Sequence, residues 1–231
     1  MTTAFSGTPW SKGSVSIVPD LKAAVEAGDV SGLKGTKLDT GKIDFKWPND
    51  AKIIPSDVFN GQRAIVVPDG FLVPGHKNGG VYVIQMDPSD LTKTTGTVKI
   101  SPDKDDYFYH MGEWIDLNGD GRKDFITARS NAKAGEGELV WFEHPEDGLN
   151  ATPWTEHVVT KGPDVGIEVD VLPEFKNEIV VFATQFFDEK VAFYRVSTED
   201  GTLVDSRTID DSTILSAYSV ALVDLNGDGK R

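Results

Sequence analysis

Asp116-Leu117-Asn118-Gly119-Asp120-Gly121-Arg122-Lys123-Asp124 is the stretch that decides how this chain is read. Oxygen-bearing side chains stand at its first, third, fifth and ninth positions, with glycine at the sixth. Alternate side chains of a tight loop converge on one point, and glycine supplies the left-handed backbone that the bend requires. A cage of carboxylate and amide oxygens suits a hard cation. Ca2+ is favoured over Mg2+, which prefers a near-octahedral, partly hydrated site. The expected ligands are the side chains of Asp116, Asn118, Asp120 and Asp124. The backbone carbonyl of Arg122 joins them by analogy with other calcium loops. The string returns as Asp224-Leu225-Asn226-Gly227-Asp228-Gly229, with Asp224, Asn226 and Asp228 in the equivalent places.

A helix–loop–helix calcium site starts with the same letters but needs a bidentate glutamate at position twelve and a helix on each side. Here position twelve is Thr127, and the flanks Gly112–Ile115 and Phe125–Ala128 are short and rich in aromatic and β-branched residues. Such flanks favour strands, so the loop is expected to join two of them.

The loop sets the phase of a repeat. Loop starts at Asp116, Asp170 and Asp224 are spaced 54 residues apart. The middle copy, Asp170 to Glu178, has Leu172 at position three and Phe175 at six, so it is expected to have lost its ion. A shorter copy begins at Asp57. Each copy is followed by a strand pattern (Ala64–Val67, Phe125–Ala128, Ile179–Ala183) and then a second (Val81–Gln85, Leu139–Glu143, Val191–Arg195). Fainter third strands follow at Gly96–Ile100, His157–Thr160 and Leu203–Ile209. A unit of this length with three or four short strands predicts an all-β chain of β-propeller blades over residues 48–231, incomplete because the last unit stops inside its loop. Residues 1–47 predict an N-terminal segment with a strand at Ser14–Val18. A short helix is expected after Pro19, capped by Asp20, with Leu21, Ala24 and Val25 on one face and Gly28 as its stop.

The 231 residues are 39% hydrophobic and 26% charged, which supports a globular chain with a sizeable core. The net charge of −14, from 37 acidic and 23 basic residues, argues against nucleic acid and anionic membranes as partners. There is no cysteine, hence no disulfide or thiolate chemistry. No apolar run approaches a membrane span. Asn150-Ala151-Thr152 has the glycosylation acceptor pattern, with Pro153 directly after it.

The Asp-x-Asn-x-Asp-Gly-x-x-Asp loop at this period resembles the FG-GAP and VCBS repeats, calcium-loop β-propellers found in integrin α heads, some lectins and many secreted microbial proteins. Leu139-Val140-Trp141-Phe142-Glu143-His144-Pro145, followed by Trp154-Thr155-Glu156-His157-Val158-Val159, is similar to a pattern in a VCBS-like branch that includes fungal aldos-2-ulose dehydratases. His144 stands where that branch usually has Asn. The resemblance implies a calcium-stabilised module that binds a carbohydrate or protein ligand, secreted or extracellular, with its remaining blades beyond this sequence. The alternative is a sugar lyase or dehydratase.

For that alternative the candidates lie six residues before each loop start: His110, Asp164 and Tyr218. If the resemblance holds, the strand before the loop is innermost, and these side chains converge at a channel mouth with Tyr107, Tyr109 and Glu168. Unrelated loop residues are the competing, and favoured, reading. Trp141, Phe142 and Trp154 are either a sugar-stacking platform or, favoured, packing between sheets. His144 and His157 read as turn and strand-edge residues. No nucleophile elbow, phosphate loop, zinc motif or dinucleotide fingerprint is present.

Overall fold

A chain whose apolar residues alternate in short runs buries them by pairing strands and stacking the resulting sheets. The computed structural model describes residues 1–4, 12–70 and 78–228. Four antiparallel sheets account for nearly all the regular structure. The first has three strands, β1 (Thr2–Ala4), β2 (Ser14–Ile17) and β3 (Thr36–Lys37), in that order. The other three have four strands each, laid down in chain order as simple meanders. They are β4 to β7 (Lys52–Ile53, Ala64–Asp69, Gly80–Met86, Thr94–Lys99), β8 to β11 (Phe108–Ile115, Asp124–Ser130, Glu138–Glu143, Thr155–Lys161) and β12 to β15 (Gly166–Asp170, Glu178–Gln185, Lys190–Ser197, Leu203–Asp210).

The chain divides into two compact units, Met1–Tyr109 with Pro145–Thr155, and His110–His144 with Glu156–Arg231. Within the first, Val15, Leu38 and Phe45 pack on Ile65, Val67, Ile84 and Met86, so residues before position 48 share a core with the sheet β4–β7. Within the second, Ile126, Ala128, Leu139 and Trp141 pack on Ile167, Ile179, Val181, Ala183, Ala192, Tyr194 and Val196. Register explains the contact. Trp141 pairs with Ile126 and Leu139 with Ala128, placing all four on one face of their sheet, while Val181 pairs with Tyr194 and Ala183 with Ala192 on the facing sheet. Leu117, inside the loop, joins this core and is fully buried. Trp141, Phe142 and Trp154 are all buried, so they are packing residues and not an open stacking platform.

Two local expectations are corrected. The helix after Pro19 forms, as α1 (Leu21–Glu26), but Asp20 sits in the left-handed region at φ 57 and its side chain caps nothing. A side-chain cap needs an extended Ncap backbone, which Asp20 does not adopt. Leu21 and Val25 stay exposed, since this one short helix has no buried residue. Residues 211–228, expected to open a further blade, form no strand among the described residues. Strand geometry persists where a neighbouring ladder takes up its N–H and C=O groups, and none of the four sheets extends to this segment.

Candidate metal centre

The loop 116–124 joins β8 to β9, so strands flank it on both sides. Its shape follows from short side chains closing on nearby amides. Asp116 Oδ1 accepts from Gly119 N (2.8 Å) and Asp116 Oδ2 from Gly121 N (2.9 Å), folding the loop around the first carboxylate. Asn118 Oδ1 accepts from Asp120 N (3.1 Å) and Asp120 Oδ1 from Arg122 N (2.8 Å). Gly119 and Gly121 carry φ of 73 and 85, a conformation that Cβ-bearing residues enter only at a cost. Gly229, which repeats Gly121, lies outside the described residues.

The second loop reproduces this arrangement. Asp224 Oδ1 accepts from Gly227 N (2.7 Å), Asn226 Oδ1 from Asp228 N (3.2 Å), and Gly227 has the same φ of 73 as Gly119. In both loops the asparagine Nδ2 donates to the fifth-position aspartate, Asn118 to Asp120 at 3.3 Å and Asn226 to Asp228 at 3.0 Å. The surroundings differ sharply. Leu117 is 0% exposed whereas its counterpart Leu225 is 91% exposed. The same turn over the first five positions therefore forms in both surroundings.

Asp124 closes the first loop from the start of β9. It is fully buried, and its two oxygens accept from Leu117 N and His144 N, each at 2.8 Å. Desolvation pushes its carboxyl up to about 6. Those two hydrogen bonds oppose the shift, and the nearby Asp120 and Asp116 carboxylates add to it. A cation beside three carboxylates would reverse that balance. The donor set fits calcium: hard oxygens only, from three carboxylates, one side-chain amide and one backbone carbonyl. As it stands, however, the loop spends its carboxylates on amides and on the Arg122 guanidinium, which pairs with Asp120. Among the described residues no three His, Asp or Glu side chains are already gathered as a metal cluster.

In the middle copy the ninth-position carboxylate is taken by an arginine. Glu178 receives Arg195 through two bonds of 2.7 and 2.9 Å, and that guanidinium lies 4.2 Å from the Phe175 ring centroid. A cation already occupies the place.

Of the three channel-mouth candidates, two meet. His110 Nε2 and the Tyr218 hydroxyl are hydrogen-bonded at 2.7 Å. Burial lowers the His110 pKa to about 3, which leaves a neutral ring and a weak base at physiological pH. Asp164 touches neither. Its oxygens accept from Phe186 N (2.7 Å) and Phe187 N (2.9 Å), and burial raises its carboxyl to about 6. Phe186 links the two, its ring packing on that of Tyr218. Thr184 Oγ1 binds the Tyr218 carbonyl at 3.3 Å and fixes the segment here. Glu168 pairs with Phe182 in the sheet ladder. Tyr107 and Tyr109 fall in the other unit, where Tyr109 is fully buried.

Sequence reasoning did not find what holds the loop from outside. The pairing of Phe125 with Phe142 brings the end of β10 beside Asp124. Arg122 Nε donates to the His144 carbonyl at 2.8 Å, and Asn118 Nδ2 to Glu143 Oε1 at 3.4 Å. The signal for this lay in Trp141–Pro145. Comparison with models of known protein families, with curated proteins and with solved structures finds no match.

Proposed function

We propose that this chain forms blades of a calcium-stabilised β-propeller that binds a carbohydrate or protein ligand and performs no chemistry. The observation that carries the reading is the pair of loops, 116–120 and 224–228, folded through the same side-chain-to-amide bonds in unlike surroundings. Asp116, Asn118, Asp120 and Asp124 with the Arg122 carbonyl would hold one ion, and Asp224, Asn226 and Asp228 would supply part of a second site. Consecutive four-stranded meanders, and face-to-face burial of one on the next within the second unit, support the propeller. A loop with only four side-chain donors suits the calcium levels outside cells, in keeping with a secreted or extracellular protein.

A lyase or dehydratase reading has weaker support, because the candidate base His110 is buried with lowered basicity and Asp164 is not beside it. Thermal melts in calcium, in magnesium and in EDTA test the proposal. Calcium at one hundred times its dissociation constant should add about 2.7 kcal/mol, magnesium far less. Identical melts in calcium and EDTA would refute it.

A further inference from the structure

The stretches 139–145 and 154–159 stood out in the sequence without a task beyond packing. In the structure three of their residues form a connected prop under the loop. The His157 ring, on β11, stacks on buried Trp141 with centroids 4.1 Å apart and planes 13° from parallel. Its Nε2 meets Glu143 Oε2 at 2.8 Å, and Glu143 Oε1 accepts from Asn118 Nδ2. Both carboxylate oxygens are thus engaged, one on the outer strand and one on the loop. The next residue, His144, holds the loop twice through its backbone, at Asp124 and at Arg122.

We propose that Glu143, held in place by His157 on Trp141, is a positioning residue for the cation of the 116–124 loop. The inference rests on the calcium reading above. Asn118 is the one neutral side chain in the donor set, and only its Oδ1 can bind a cation. An amide turns freely about its last torsion, and a half-turn would put its NH2 group where the oxygen should be. Glu143 and Asp120 Oδ2 both accept from Nδ2 and the Asp120 amide donates to Oδ1, so three contacts select one orientation, and Glu143 is the one that reaches in from outside the loop. Partners of this kind in the outer sphere typically change metal affinity by about 10- to 100-fold. His157 and Trp141 act one step further out by keeping Glu143 from swinging into solvent, since its side chain is only 35% exposed as held.

The test is titration calorimetry of the full chain with calcium alone, alongside melts in EDTA. Glu143→Ala should weaken the dissociation constant about tenfold or more while leaving the calcium-free melting temperature unchanged. Glu143→Gln can still accept from Asn118 and should recover most of that loss; His157→Ala should show a smaller loss of the same kind. A Gln variant as weak as the Ala variant would overturn positioning in favour of a charge effect. So would a Glu143→Ala variant that lowers the calcium-free melting temperature but binds as the parent does. If the parent chain binds no calcium, the proposed function itself fails. If the parent binds and Glu143→Ala binds equally well, only the positioning role is lost.

Discussion

Leu117 and Leu225 occupy the same place in two copies of one loop, yet one is 0% and the other 91% exposed, so truncating them should have very unequal consequences. Leu117→Ala removes three carbons from a core that also includes Ile126, Ile179 and Val181. At about 0.8 kcal/mol for each carbon the transfer cost is about 2.4 kcal/mol. The cavity left among β-sheet side chains that cannot collapse adds about 1 to 2 kcal/mol at about 24 cal/mol per Å3. The sum is about 4 kcal/mol, or a fall of about 8 to 16 °C in melting temperature for a chain of this size. Leu225→Ala should stay within about 0.5 kcal/mol of the parent, as exposed substitutions do. Near-ultraviolet circular dichroism melts in EDTA read both without interference from bound ion. A Leu117→Ala variant within about 1 kcal/mol of the parent, or a Leu225→Ala variant as damaged as it, would refute the claim that the first loop is plugged into the core.

Gly201 has φ 68, and a Cβ there would lie 2.5 Å from the Trp141 ring, so Gly201→Ala should cost about 2 to 4 kcal/mol by urea denaturation. Tyr218→Phe removes the partner of His110 Nε2 and should cost about 1 to 3 kcal/mol, with faster hydrogen exchange around Gly166 and Thr184, which bond at this spot. Burial raises Asp69 to about 6, above its unfolded value, although Lys46 N donates to both its oxygens. Its contribution to stability is therefore present below about pH 4 and lost as pH rises through 6, about 3 kcal/mol in all. Asp69→Asn should shrink the stability difference between pH 4 and pH 7 by that amount; an unchanged difference would count against the buried, protonated form.

The strands of the repeat were legible because their signal is local. Ala64–Val67, Phe125–Ala128 and Ile179–Ala183 are apolar and β-branched or aromatic runs between turn residues, and each lies inside an observed strand. β1, β3 and β4 carry little signal because they have only two or three residues each, while β12 (Gly166–Asp170), half-polar and short, is expected from the repeat and not from its own pattern. The loop's own bonds are local, spanning two to seven residues, which is why its spacing is readable in the sequence. The contacts of Glu143, His144 and His157 are not, because they depend on strand register between segments some twenty residues apart. His110 and Tyr218, separated by 108 residues, are hydrogen-bonded, while Asp164 binds the amides of Phe186 and Phe187. A buried carboxylate takes the nearest donors, and spacing from a loop start carries no information about them.

The central claim is most directly tested by locating calcium itself, through its anomalous scattering in crystals of the calcium-soaked chain. The account predicts a peak about 2.3 to 2.6 Å from side-chain oxygens of Asp116, Asn118, Asp120 and Asp124 and from the Arg122 carbonyl. No peak at that loop in well-ordered crystals, or a peak ringed by other residues, would contradict it.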